Sequence, residues 1–172
     1  MPSHPLLGAL FYLLSFGISI LTIMLCFRVI MKITRYHDLS LIKRKNTASA
    51  LVLASSIIAL AILAQNAIHP ANSVLQDYWF LAERSAREFL LLLCRVGGYV
   101  IVTILLSLFS IASALVLFQK LTPDLDEEEE IKNDNLAVAV LLSGFLIAFA
   151  LMVEKGLGDF VNTLIPLKEL MQ

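Results

Sequence analysis

Ile42–Ala64, IKRKNTASALVLASSIIALAILA, and Ile131–Val153, IKNDNLAVAVLLSGFLIAFALMV, are two versions of one pattern set 89 residues apart. Both open with Ile-Lys and pass through two polar residues to an Asn. Both then place Ala two and four positions on, and continue into unbroken apolar sequence. Asn46, Ala48, Ala50, Ala59 and Ala61 align with Asn135, Ala137, Ala139, Ala148 and Ala150. Self-similarity at a long period is the signature of a repeated structural unit. It divides the chain into two expected halves, 1–87 and 88–172.

Composition says where such a chain resides. Of its 172 residues 59% are apolar and 16% charged, whereas soluble domains carry roughly 25% charged residues. The mean hydropathy is +0.84, and the charges are gathered between apolar runs of membrane-spanning length. The expected fold is therefore all-α and integral to a membrane, with four transmembrane helices as two parallel two-helix repeats. The spans fall near residues 6–33, 46–68, 89–118 and 135–153. The first lacks the basic n-region and short apolar core of a cleaved leader and is read as a retained span. Between spans two and three, His69-Pro70-Ala71-Asn72 predicts a helix break. Val74–Arg87, with Tyr78, Trp79 and Phe80 among charges, then reads as a short interfacial helix at headgroup level. Phe160–Leu170 reads as its weaker counterpart.

Lys and Arg accumulate in cytoplasmic loops. Residues 28–45 hold Arg28, Lys32, Arg35, Lys43, Arg44 and Lys45 against the single acid Asp38. That loop is expected in the cytoplasm, which puts both termini outside it. Residues 119–134 are the acidic counterpart, with seven acids against Lys120 and Lys132. They share the cytoplasmic side, because Asp and Glu contribute little to the orientation rule.

The repeated element resembles an uncharacterised bacterial family, a domain-of-unknown-function family that includes YjfL. The residues carrying the likeness are Asn46-Thr47-Ala48-Ser49-Ala50 with Ser55, and Asn135-Leu136-Ala137-Val138-Ala139 with Gly144. Leu121-Thr122-Pro123-Asp124 adds to it. The likeness extends over nearly the whole chain. It implies a small multi-pass protein of the bacterial inner (plasma) membrane with a duplicated two-helix unit, and no established activity.

Three groups of residues stand out. Asn46 and Asn135 are well placed to cap their helices. They also head stripes at a spacing of four, Asn46–Ala50–Ala54 and Asn135–Ala139–Ser143, joined by Gly144 and Ala148. Small faces let membrane helices approach closely, so spans two and four are expected to pack together with the two asparagines near each other. Arg95 and Glu154 are ionisable residues within or at the edge of spans, where such groups are functional candidates by default; they are expected to pair with each other or to reach the interface with their side chains. The third group is the charged loops. Lys43, Arg44 and Lys45 would meet anionic headgroups, while Glu127, Glu128, Glu129 and Glu130 would recruit a basic partner.

No Ser/His/Asp set, Gly-rich phosphate loop or His/Cys cluster occurs, so no enzyme, cofactor, metal or nucleic-acid role is expected. Cys26 and Cys94 read as small apolar residues. The expected function is a homo-oligomeric scaffold or interaction component of the bilayer with a cytoplasmic or membrane protein partner. A small channel or transporter subunit is the alternative, favoured if Asn46, Asn135, Ser56 and Ser143 line water.

Overall fold

The charged boundaries of the apolar runs become helix ends. The computed structural model describes residues 5–33, 39–80 and 86–165. They form α1 (Pro5–Ile33), α2 (Leu39–Lys43), α3 (Thr47–Phe80), α4 (Ala86–Leu121), α5 (Glu127–Lys132) and α6 (Leu136–Leu164). At 1.5 Å per residue the long helices α3, α4 and α6 extend about 51, 54 and 44 Å, more than the roughly 30 Å of a bilayer's hydrocarbon core. Among the described residues three stretches are long and apolar enough to cross a membrane: Thr47–Leu75, Leu90–Leu121 and Leu136–Leu164. The expected first span lies in α1, whose described apolar stretch is Phe16–Leu25.

α3 is the centre of the molecule. It packs most extensively on α6 and also touches α4 and α1. Val52, Ala59, Leu63 and Ala67 of α3 and Ala139, Leu142, Leu146 and Ala150 of α6 are all buried, while Leu60 of α3 faces Thr22 and Ile30 of α1 across a small gap. α4 adds Ile104, Ile111 and Ala114. Large apolar side chains such as Leu105, Phe109, Leu141 and Met152 point outward, as a surface bathed in lipid tails allows.

The same local structure opens α3 and α6. At the end of α2, the amide of Asn46 donates to Leu41 O (3.0 Å) and that of Lys45 to Ile42 O (2.9 Å). At the end of α5, Asn135 donates to Glu130 O (2.9 Å) and Asp134 to Ile131 O (3.1 Å). These paired bonds are the Schellman closure of a helix, which requires a left-handed residue just past its end. Lys45 (φ 63°) and Asp134 (φ 62°) supply it. The asparagine that ends one helix then begins the next. Asn46 Oδ1 accepts from Ser49 N at 2.6 Å, and Asn135 Oδ1 from Ala137 N at 3.1 Å.

α3 does not stop at His69-Pro70-Ala71-Asn72; it continues through Pro70 to Phe80. A proline inside a helix removes one N–H and so leaves the carbonyl four residues earlier without its bond. That carbonyl belongs to Asn66, and the Tyr99 hydroxyl of α4 donates to it at 3.2 Å. The vacancy is filled from a neighbouring helix, one of the ways membrane helices tolerate proline. Val74–Phe80 is therefore the last part of α3 rather than a separate interfacial helix. Residues 81–85, and the side chains of Tyr78, Trp79 and Phe80, lie outside the described set. At the other expected interfacial segment, α6 continues to Leu164, and residues 166–172 lie outside the description.

Tyr99→Phe is expected to destabilise the protein by about 1 kcal/mol, the usual scale for a hydrogen bond inside a membrane protein. In a Pro70→Ala background the helix regains its own bond, and the loss should shrink. Unfolding titrations of the four proteins give the coupling; equal losses in both backgrounds would remove Tyr99 from this role.

Candidate functional site

Polar groups gather at both ends of the α3/α6 contact. Start meets start and far end meets far end, so the two helices run side by side in the same direction.

At the first end the starts of α3 and α6 close each other. Asn46, buried, donates from Nδ2 to the carbonyls of Ile131 (2.8 Å) and Lys132 (3.1 Å). Asp134 Oδ1 in return accepts from Thr47 Oγ1 (2.9 Å) and from Ala48 N (2.8 Å). A carboxylate at a helix N-terminus also meets the positive end of the helix dipole. The Ala48 amide and the Thr47 hydroxyl hold the Asp134 carboxyl below its usual pKa, because both bonds favour the charged form. Asn135 has a different partner, donating from Nδ2 to Glu130 Oε2 at 2.6 Å. The two asparagines are thus each engaged with backbone or carboxylate, and not with each other.

The acidic run is a folded helix. Asp126 caps α5, accepting from Glu129 N at 3.1 Å. Four acids in its first turn suit the dipole. Glu127 is buried and accepts from Thr122 Oγ1 at 2.7 Å. Glu128 pairs with Lys132 at 2.7 Å, and Glu130 holds Asn135. Glu129 is the exposed member. Lys43, Arg44 and Lys45 are exposed across the way, and among the described residues the two loop regions meet through the hydrogen bonds of Asn46, Thr47 and Asp134. The side chains of Lys32, Arg35 and Asp38 lie outside the described residues.

At the far end, Gln65 Nε2 donates to Glu154 Oε1 at 2.5 Å. These residues are 89 positions apart, one step beyond the quoted stretches. Asn66 Nδ2 donates to the Glu154 carbonyl at 3.0 Å. The Tyr99 hydroxyl, already on Asn66 O, also lies 2.8 Å from Asn162 Oδ1 and shares its proton between the two acceptors. Gly158 closes the cluster: a Cβ there would stand 2.7 Å from Asn66 Oδ1. Glu154 is half-buried and lies about 27 Å along α6 from its start. The expected pairing with Arg95 is not made. Arg95 is exposed on α4, and Glu154 turns to Gln65 instead.

The contact face is also rotated from the expected stripes. Ala139 and Ser143 are buried, but Ala50 is only half-buried and Ala54, Gly144 and Ala148 face outward. A spacing of four advances 400° on a helix of 3.6 residues per turn, so a stripe drifts about 40° at each step, and the one that starts at Asn46 has left the contact by Ala54. The buried positions Ala48, Val52, Ser55, Ala59, Leu63 and Ala67 follow a neighbouring line, with one step of three among steps of four. Ser56 Oγ donates to Val52 O at 2.7 Å, while Ser143 Oγ is buried with no partner.

Sequence reasoning missed Gln65, Asn66, Tyr99, Gly158 and Asn162. It also missed Thr103 and Ser107, buried one and two turns from Tyr99 and bonded to the carbonyls of Tyr99 (2.9 Å) and Thr103 (2.8 Å). The signal was present as a hydroxyl every fourth residue in an otherwise apolar helix.

Three apolar helices of crossing length with an apolar outer surface define a multi-pass α-helical membrane protein. The chain belongs to the family described as Domain of Unknown Function (DUF350), whose model matches twice, over residues 5–112 and again over 89–166. The UPF0719 transmembrane protein YshE of Bacillus subtilis (strain 168) is 25% identical over 142 residues, 83% of this chain and 89% of that protein. No solved structure matches the chain. The membership agrees with the expected domain-of-unknown-function family of membrane proteins, without by itself placing YjfL in it.

Proposed function

We propose that the chain is a non-enzymatic assembly unit of the bacterial inner membrane, acting as a homo-oligomeric scaffold. In this reading α1 supplies a fourth span, residues 1–87 and 88–172 are two parallel repeats, and both termini lie outside the cytoplasm. The doubled family match and the recurrence of the same helix closure 89 residues on support the duplication. Lys43, Arg44 and Lys45 would then face cytoplasmic lipid headgroups or a partner.

The observation that carries the scaffold reading is the outer face of α6. Val140, Leu141, Leu151 and Met152 stand out from it, with Gly144 and Ala148 forming a notch between them. Such a notch admits the backbone of a second helix. A Cβ at Gly144 meets nothing within the chain, so Gly144→Ile should leave the subunit folded and disturb only assembly. Native mass measurement in nanodiscs is expected to give a defined oligomer for the natural chain and a smaller species for the variant. A natural chain that stays monomeric overturns the reading.

A channel or carrier subunit is the second reading. It draws on the buried hydroxyls of Tyr99, Thr103 and Ser107, which lead along α4 toward the Glu154 cluster. Ion flux through reconstituted liposomes separates it from the first.

A further inference from the structure

α1 and α3 do not close on each other along their whole contact. About 260 Å³ of open space lies between them, lined by Phe27 and Ile30 of α1 and Ile57, Ala61 and Ala64 of α3. Thr22, the one polar side chain in this lining, turns its hydroxyl back to the Ile18 carbonyl at 2.8 Å. What remains is apolar, and Phe27 (37% exposed) and Ile23 (52% exposed) leave it open to the outside of the bundle. A second helix, ~10 Å across, would need about 420 Å³ for a single turn of 5.4 Å. The groove is too small for that and suits one hydrocarbon chain.

Its depth suits a lipid. Ile57 lies about 15 Å along α3 from its start, and one leaflet's share of a roughly 30 Å hydrocarbon core is also about 15 Å. A lipid whose headgroup sits where α3 begins therefore brings the end of its acyl chain to this groove. That headgroup level is cationic, because the segment joining α1 to α3 carries α2 and the basic turn. Lys43, Arg44 and Lys45 are exposed there, and among the described residues none of them pairs with an acid. Asp134, the acid that reaches the start of α3, is taken up by Thr47 and the Ala48 amide. The turn itself is closed by the backbone amides of Lys45 and Asn46, so its side chains are left to face outward. Arg28 is a fourth cation, exposed on α1 and next in sequence to Phe27. It too has no acidic partner among the described residues. An arginine in an apolar membrane helix is costly unless something anionic meets it, and basic clusters at a membrane surface attract anionic headgroups.

We infer that the α1/α3 groove and the basic turn at its end form one binding site for an anionic phospholipid. An acyl chain lies between Phe27 and Ala61, and the phosphate sits among Arg28, Lys43, Arg44 and Lys45. This deepens the headgroup role proposed above for the basic turn, and rests on that reading only for the turn's place at the membrane surface. The scaffold interface proposed on α6 is a separate surface on another helix.

The test is native mass spectrometry of the full chain released from nanodiscs of equal parts phosphatidylglycerol and phosphatidylcholine with the same acyl chains. The expected spectrum shows about one retained phospholipid per chain, with phosphatidylglycerol favoured roughly fivefold or more. K43Q/R44Q/K45Q removes three charges without touching the backbone bonds of the turn, and should bring that preference close to unity. Ala61→Phe fills the groove from an exposed position and should reduce retention of both lipids at an unchanged melting temperature. No preference in the natural chain, or a preference that survives in the triple variant, overturns the site. So does a folded Ala61→Phe chain that keeps its lipid, whether its subunit number holds or drops; a drop would assign the groove to a second copy. The same spectra count subunits, so the scaffold reading stands or falls separately.

Discussion

Asn46→Ala is expected to destabilise the protein by about 2–4 kcal/mol, while Asn135→Ala costs about 1 kcal/mol. Sequence gives the two asparagines equal standing, and both cap helices, a contribution of roughly 0.5–2 kcal/mol. Asn46 has a second task. Its amide joins two carbonyls of the other half while only 8% exposed. Truncation takes a buried donor from two carbonyls at once, although Ile131 O keeps its bond from the Asp134 amide; weakening buried pairing of this kind costs about 1–3 kcal/mol. Asn135 spends its amide on the side chain of Glu130, which can turn to water instead. Asn46→Asp should fall between, since it restores the cap but not the donor. Reversible unfolding in mixed micelles measures all three. Equal losses for Asn46→Ala and Asn135→Ala would mean that the bonds between halves contribute nothing.

Reversing charge along the acidic run should act very unevenly. Glu127→Lys is expected to lose about 2–4 kcal/mol, because Glu127 is 5% exposed and bonded to Thr122. A lysine there would either bury an unpaired charge or pull the turn open. Glu129→Lys, on the exposed side, should lose less than about 1 kcal/mol, mostly through the helix dipole. Melting curves of the two variants decide this, and matching shifts would show that Glu127 is not structural. The contrast also bears on the expected docking role. A patch of four free carboxylates would respond to each reversal alike, but three of these four already have partners within the chain.

What could be read beforehand was local or periodic. Apolar runs gave the helices, and the Asn after a polar turn marked where α3 and α6 begin, because capping depends on neighbours within four residues. The break at Pro70 was misread for the opposite reason. Proline's missing N–H is visible in sequence, whereas the remedy comes from Tyr99, 29 residues later and on another helix. The Glu154 partner was hidden in the same way. A rule of opposite charges points to Arg95, but geometry brings α3 against α6 and delivers Gln65. The stripes failed through register, since composition names the small residues and only the crossing of two helices decides which of them turn inward.

The crossed closure at the start of α3 has a consequence for synthesis. Ala48 is made 86 residues before Asp134, the side chain that completes its end of the helix. At about 5–20 residues per second, α3 waits several seconds in the bilayer with that amide answered by water, headgroups or a stand-in. The second half therefore does more than add helices: its arrival is the event that finishes the first.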